Sequence, residues 1–205
     1  LEAVPELILI KSREDGGSNW AVYSAVIGAA KNYFLNSTND ADTDGAIFFN
    51  STTPTSSVFT LGGSGAGQVN ESGEKFIAYC FAPKEGFSKF SSYVGDASGN
   101  SDSNFVYLGF RPAFVMIKAD VNNSPWLMFD SARNTYNVIG DEALAANSNE
   151  AEGLTTWNPN TSNSVIDFLS NGFKIRTQST TGINQAHTHI YMAFAEQPFK
   201  YSNAR

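Results

Sequence analysis

Three carboxylates in the first half of the chain have the spacing of a calcium loop. Asp40, Asp42 and Asp44 alternate along the chain before Gly45, and such an arrangement directs several oxygens at one point. The twelfth position of the loop would be Ser51 instead of a bidentate glutamate, so an EF-hand is excluded. A calcium site in a β loop is one interpretation. The other, which we favour, is a solvated acidic loop without any cofactor.

A lone tryptophan lies in a second segment of interest, the polar loop TTWNPNTSN. Trp157 could stack on the face of a sugar while the amides of Asn158 and Asn160 bind its hydroxyls. The same tryptophan could instead fill a subunit interface or anchor its own loop. We therefore treat these three residues as a hypothetical glycan contact.

The two histidines and the cysteine are weaker candidates for a functional site. His187 and His189 are two residues apart, which places both on one face of a strand, but no third histidine or cysteine ligand accompanies them. We favour an exposed or interface strand face over a metal site. Cys80 is the single cysteine and lies in an apolar run, so we expect an inert thiol and no internal disulfide.

Composition defines the elements that must position these residues. The 205 residues include 16 Phe and 8 Tyr, whereas charged residues make up only 16%. Aromatic residues favour strands, and the abundant Ser, Asn, Thr and Gly favour turns, which is typical of an all-β protein with polar loops. The net charge of −7 argues against nucleic acid or an anionic membrane as partner. No apolar run is long enough to insert in a bilayer.

The chain contains an internal repeat with an offset of about 107 residues. Five segments recur in the same order: 5–11 as 112–118, 19–24 as 125–130, 57–61 as 165–169, 79–82 as 192–195, and 87–90 as 199–201. Conserved order with small changes of length in polar loops is the pattern of two copies of one structural unit. In this alignment Trp20 corresponds to Trp126, which predicts core packing for both.

Short strand candidates separated by turn signals indicate sandwiches or barrels. We predict two homologous β-sandwich units, jelly-roll or lectin-like and packed together: repeat 1 at 1–95, a linker loop at 96–104, and repeat 2 at 105–205. The predicted strands are 6–11, 20–24, 32–35, 46–49, 58–61, 75–81 and 87–94 in repeat 1, and 114–118, 126–129, 138–139, 165–169, 173–176 and 188–194 in repeat 2. The dipeptide Asn171-Gly172 between two apolar runs predicts a hairpin. The strand predicted at 105–110 has its counterpart upstream of residue 1, so we expect this chain to be part of a longer polypeptide.

Several segments resemble a repeat found in tail-fibre and minor structural proteins of tailed, often marine, bacteriophages. The segments are PELILIKSREDGGSNWAVY (5–23), TTPTSSVFTLG (52–62), FIAYCFAPKEGFSKFSSYVG (76–95), GFRPAFVMIKAD (109–120), WLMFDSAR (126–133), FLSNGFKI (168–175) and IYMAFAEQPFKYSNAR (190–205). The resemblance covers nearly the whole chain, and its motifs are typical of a fold, not of a catalytic set.

The resemblance implies a location in the virion, in the tail or fibre, which is extracellular when it functions. It also implies assembly with virion proteins and with copies of the chain itself, as a homotrimer by analogy. The sequence thus predicts a non-enzymatic structural domain that presents a surface binding a host receptor or glycan. The alternatives are a polysaccharide-degrading enzyme, for which no carboxylate pair stands out, and a purely architectural spacer.

Overall fold

The structure of the protein is a computed structural model that describes residues 2–63, 65–97, 103–134, 136–137, 143–153, 165–177 and 182–197. The described residues form three antiparallel sheets with a few short helical turns, which confirms the prediction of an all-β protein. None of the described helices is long and apolar enough to cross a membrane.

The chain divides into two compact units, which we call unit 1 (Leu1–Pro83 and Val121–Asn123) and unit 2 (Lys84–Asp120 and Ser124–Arg205). Unit 1 is built on a four-stranded sheet of order β3-β2-β1-β4. Its described elements are β1 (Leu7–Ser12), β2 (Ala21–Ser24), β3 (Tyr33–Phe34), α1 (Gly45–Phe48), α2 (Gly67–Asn70) and β4 (Phe76–Phe81).

One face of this sheet and the two helical turns enclose the core of unit 1. Ile8 and Ile10 of β1 alternate toward that core, as the period of two along a strand requires. Phe48 and Phe49, at the end of α1, pack edge-on against Phe34 and Tyr23, with ring centroids 6.0 and 5.6 Å apart respectively. These edge-to-face contacts join the helical turn to the sheet.

Unit 2 contains two sheets, a five-stranded sheet of order β5-β12-β7-β8-β9 and a three-stranded sheet of order β10-β11-β6. Its described elements are β5 (Ser88–Val94), β6 (Phe105–Tyr107), β7 (Pro112–Ala119), β8 (Trp126–Asp130), β9 (Leu144–Ala145), β10 (Ile166–Leu169), β11 (Gly172–Ile175), a 3₁₀ turn (Gly182–Asn184) and β12 (Thr188–Ala195).

The two sheets of unit 2 share one apolar core. Val115 and Phe129 come from the larger sheet, and Phe168 and Phe173 from the smaller one, and all four side chains are almost fully buried. Phe173 packs edge-on against Tyr191 with ring centroids 5.5 Å apart. Interdigitated apolar faces of this kind are the means by which two sheets stack on each other.

The strand predicted at 46–49 is wrong, because this segment overlaps the helical turn α1. In a strand, the adjacent Phe48 and Phe49 would point to opposite faces. In the observed turn both are buried, at 3% and 1% exposure, while Ile47 points to solvent at 42%. A short continuous apolar run does not distinguish the two conformations by its pattern alone. The strand predicted at 58–61 does not form either, although Phe59 and Leu61 pack against the core.

The hairpin predicted near Asn171 is present, with Leu169 paired to Gly172 across a two-residue turn. Gly172 is the first residue of β11, and a Cβ at this position would meet the carbonyl oxygen of Val106 on the neighbouring strand. The residues at 88–94 form a strand as predicted. That strand pairs with β12 and belongs to unit 2, whereas the repeat in the sequence places it in repeat 1.

The sheets of the two units have the same strand order over four strands. The order β3-β2-β1-β4 in unit 1 matches β9-β8-β7-β12 in unit 2, with every pair antiparallel. The register agrees too, and residues aligned by the sequence repeat occupy equivalent places in the triplets Ser24–Leu7–Phe81 and Asp130–Phe114–Phe194.

A side-chain contact is repeated along with this register. The Trp20 backbone N–H donates to Asn36 Oδ1 at 2.9 Å, and the Trp126 N–H donates to Asn147 Oδ1 at 2.8 Å. Each asparagine thus provides an acceptor for the residue that begins, or immediately precedes, the second strand of its sheet.

Truncating a side chain in the core of unit 2 should lower the free energy of unfolding by a predictable amount. We expect Phe173→Ala to lower the free energy of unfolding by about 3–5 kcal/mol, because it removes a fully buried ring and leaves a cavity. Chemical denaturation followed by tryptophan fluorescence measures this loss. Phe173→Leu is the control and should lose less than half as much. A loss under about 1 kcal/mol for Phe173→Ala would contradict the packing described here.

Candidate functional site

The candidate site is a half-exposed aromatic pair on the sheet of unit 1. Trp20 comes just before β2, and Tyr79 lies on β4. Their rings are stacked, with centroids 6.3 Å apart and an angle of 23° between the planes. Tyr79 is 44% exposed, and Ile77, two residues away on the same strand face, is 37% exposed. We call Trp20, Tyr79 and Ile77 the aromatic platform.

Side-chain amides adjoin the platform through a chain of hydrogen bonds. Asn36 Oδ1 accepts the Trp20 N–H, and Asn36 Nδ2 donates to Asn19 Oδ1 at 2.8 Å. The Asn19 backbone N–H donates in turn to Gln68 Oε1 at 3.1 Å. Within the described part of the chain, the amide NH₂ groups of Asn19 and Gln68 have no protein acceptor. Two hydrogen-bond donors therefore stay available near an aromatic surface.

The equivalent position in unit 2 is closed. Trp126 aligns with Trp20 and is only 2% exposed, and Met192 aligns with Tyr79 and is 9% exposed. Core packing was predicted for both tryptophans, but only Trp126 is buried, whereas Trp20 is half-buried beside Tyr79. The platform is thus a feature of unit 1 alone among these two equivalent positions.

A lysine is anchored next to the platform. Lys11 lies opposite Ile77 on the neighbouring strand β1. Its Nζ donates to the carbonyl oxygen of Asp15 at 2.6 Å and to Ser18 Oγ at 2.8 Å. These bonds hold the ammonium group over the turn after β1. The lysine therefore stabilises that turn in addition to carrying a charge.

The three predicted calcium ligands are described, and their contacts are with the protein. Asp42 pairs with Asn32 through backbone hydrogen bonds, and its Oδ1 accepts the Asp44 N–H at 3.2 Å. The Asp40 N–H faces Asn122 Oδ1 at 3.4 Å. Among the described residues, no three side chains of His, Cys, Asp or Glu come together as a group able to hold a metal. Calcium binding here stays a prediction without support from this geometry.

The other predicted site residues divide between described and undescribed parts of the chain. Trp157, Asn158 and Asn160 lie outside the described residues, so the hypothetical glycan contact at that loop stays a prediction. Cys80 is half-buried, and burial raises the pKa of its thiol, which disfavours the thiolate that a nucleophile needs.

The two histidines have different environments. His187 is exposed, while His189 is fully buried and stacks on Tyr93, with ring centroids 4.8 Å apart. His189 Nδ1 lies 2.9 Å from the carbonyl oxygen of His187, and Nε2 lies 3.1 Å from that of Gly182. A neutral imidazole carries one ring hydrogen and can donate to only one of these oxygens.

Burial lowers the pKa of His189 below its usual value, because it disfavours the charged ring. Hydrogen bonds to the backbone of Gly182 and His187 act in the opposite direction, and the nearby charges of His187 and Lys118 add to the lowering. The balance keeps the imidazole neutral at neutral pH. His189 is therefore a buried, neutral residue whose two ring nitrogens both face backbone carbonyl oxygens.

The chain belongs to the DUF7483 family, described as a domain of unknown function, whose sequence model matches residues 1–198. No curated protein and no solved structure matches the chain. The family match covers both units, so one family domain includes both sheets that share strand order.

None of the platform residues is predicted as a site from the sequence, and Trp20 is predicted to lie in the core. The signal available was a difference between the two repeats, since Tyr79 aligns with the apolar Met192. Asn19, Asn36 and Gln68 are far apart in sequence, and no local pattern brings them together.

The lowered pKa of His189 predicts an acid-sensitive fold. The unfolded chain binds a proton near pH 6.5 and the folded chain only at lower pH, so stability is complete above about pH 6.5 and falls as pH decreases. We expect a slope of at most about 1.4 kcal/mol per pH unit. Urea unfolding between pH 8 and 5 measures it. His189→Gln should flatten this dependence, whereas His187→Gln, which keeps the buried imidazole, should reduce it less. An unchanged slope in His189→Gln would refute this assignment.

Proposed function

We propose that this chain is a non-enzymatic structural domain of a phage virion, in a tail or fibre, that presents a glycan-binding surface to the host. The observation that carries this proposal is the stacked, half-exposed pair of Trp20 and Tyr79. Exposed aromatic faces next to hydrogen-bond donors are the usual means by which proteins hold a sugar ring. The resemblance of the sequence to phage tail proteins supports the virion location.

The platform has both parts that sugar recognition needs. The apolar face of a pyranose ring can stack on an indole or phenol ring, which removes apolar surface from water. The amide NH₂ groups of Asn19 and Gln68 can donate to sugar hydroxyls or ring oxygens. An amide that already accepts a protein hydrogen bond is held in one orientation, which lowers the entropic cost of binding.

Charge narrows the class of ligand to neutral sugars. The chain carries a net charge of −7, which repels acidic polysaccharides at low ionic strength. Lys11, the cation anchored beside the platform, donates to protein oxygens of its own turn. The proposal is therefore a neutral host-surface glycan, such as an uncharged polysaccharide of the cell envelope.

We also propose that the two units are homologous sandwich-like modules derived by duplication. Support comes from the common strand order, the common register and the repeated bond from a tryptophan N–H to an asparagine. The second layer differs, since unit 2 has a three-stranded sheet where the described part of unit 1 has the helical turns α1 and α2. Divergence in that layer leaves the shared sheet as the conserved part.

Glycan binding is tested by a host-surface glycan array probed with the full chain. We expect binding to a neutral glycan that Trp20→Ala and Tyr79→Ala each weaken at least about tenfold, which corresponds to about 1.4 kcal/mol. Tyr136→Ala is the matched control, because Tyr136 is 84% exposed and belongs to unit 2. It should bind like the parent chain.

Three outcomes would contradict this proposal. They are no binding to any host glycan, equal weakening by Tyr136→Ala, and new reducing ends in the bound polysaccharide, which would indicate an enzyme. Trp157→Ala separates the platform from the loop tryptophan, because loss of binding in that variant alone would move the site to the loop.

A further inference from the structure

The outer edge of β4 is an open sheet edge. Among the described strands, β4 is the last of its sheet and pairs with β1 alone. The Arg13 N–H donates to the carbonyl oxygen of Lys75, so the backbone of Lys75 faces β1. Backbone groups of successive residues point to alternate sides of a strand, so those of Phe76, Ala78 and Cys80 point away from β1. In the described part of the chain those backbone groups have no hydrogen-bond partner.

The equivalent edge in unit 2 is covered. β12 corresponds to β4, and it pairs with β7 on one side and with β5 on the other. The residues of β12 that align with Phe76, Ala78 and Cys80 all lie opposite β5, in the pairs His189–Tyr93, Tyr191–Ser91 and Ala193–Lys89. In the part of the chain that the structure describes, a strand therefore lies along this edge in unit 2, and none lies along it in unit 1.

Nothing in the sequence of β4 protects it as an edge. Its residues, FIAYCF, include no charge and no proline, and its register with β1 is continuous. Soluble proteins blunt open edges with charges, prolines or bulges, because an apolar edge pairs with other chains. The outer edge of β5 is closed differently, since Ser88 bridges to Lys84 and the Val94 carbonyl oxygen accepts from the side chain of Asn104.

The path of the chain indicates which strand fits the open edge. β5 follows β4 directly in sequence, yet it completes the sheet of the next unit. The strand that follows β4 thus completes the sheet of the other unit. In the sequence, Phe199, Lys200 and Tyr201 follow β12 as 87–90 follow β4. This correspondence in sequence makes residues 199–205 the segment expected to complete the sheet of a further unit.

We propose that the outer edge of β4 binds residues 199–205 of a second copy of this chain as an added antiparallel strand. The added strand bonds to the backbone of Phe76, Ala78 and Cys80, as β5 bonds to the equivalent residues of β12. This association goes beyond glycan binding and does not depend on it, because it uses the edge of the sheet and not its aromatic face.

Strand donation of this kind makes a head-to-tail contact. The donor and acceptor surfaces are different, so in this proposal each copy donates to one copy and accepts from another. Such contacts close into a ring when the rotation between copies permits, and otherwise continue as a filament. A closed ring of three is the form consistent with the homotrimer proposed from the resemblance.

The first experiment removes the outward N–H of the acceptor strand in the full chain. Ala78→Pro deletes an N–H that does not bond to β1, and proline is tolerated on edge strands. We expect the parent chain to form oligomers in sedimentation velocity, and Ala78→Pro to raise the dissociation constant at least about tenfold. Ala78→Thr keeps the N–H and is the matched control. Circular dichroism verifies that both variants retain the sheet.

The second experiment tests the donor. Tyr201→Pro should weaken association as much as Ala78→Pro does, and a synthetic peptide of residues 196–205 in excess should convert oligomers to monomers while a scrambled peptide does not. A chain that is monomeric at all concentrations overturns the proposal. Dissociation by Ala78→Pro with no effect of Tyr201→Pro or of the peptide also overturns it, because that result indicates symmetric pairing of two β4 edges.

Discussion

The pairing of one central strand on both of its sides is the interaction on which each sheet depends. β1 lies between β2 and β4, and β7 lies between β8 and β12. Buried backbone N–H and C=O groups must be paired, so a strand bonded on both sides fixes the register of its neighbours. The residues that face the core and those that face outward are then determined for all these strands. The packing of Ile8 and Phe129 in their cores follows from that register.

The shared register places side chains of different exposure at equivalent positions of the two sheets. Because the register is equal in both sheets, Tyr79 and Met192 occupy equivalent places, as do Trp20 and Trp126. In unit 2 this place is buried and filled by apolar side chains, and it contributes to stability. In unit 1 this place is half-exposed, so a tyrosine there lowers the stability of the fold little, and its ring is accessible to a ligand. Backbone hydrogen bonds hold the frame, and the side chains on one face can therefore change without loss of the fold.

The sequence located most strands from local residue patterns. It did not indicate which strand pairs with which. Short runs rich in β-branched and aromatic residues, bounded by turn signals, located β1, β4, β7 and β12 within a residue or two. The segment at 46–49 is a short apolar run as well, but it forms a helical turn in which two adjacent phenylalanines are both buried. The strand at 88–94 was found, but sequence proximity assigned it to the wrong sheet. Its partner, β12, lies about a hundred residues away.

The aromatic platform could not be predicted from the sequence for a related reason. A pattern of residue types predicts which face a side chain is on, but exposure depends on what covers that face. Trp20 and Trp126 occupy equivalent positions, and each donates its backbone N–H to an asparagine side chain. They differ in how far their surroundings bury them. The repeat in the sequence agrees with the strand order and register that the two sheets share, but it does not indicate which of two equivalent positions is exposed. Differences between the copies carry that information, and the change from methionine to tyrosine at the exposed copy is such a difference.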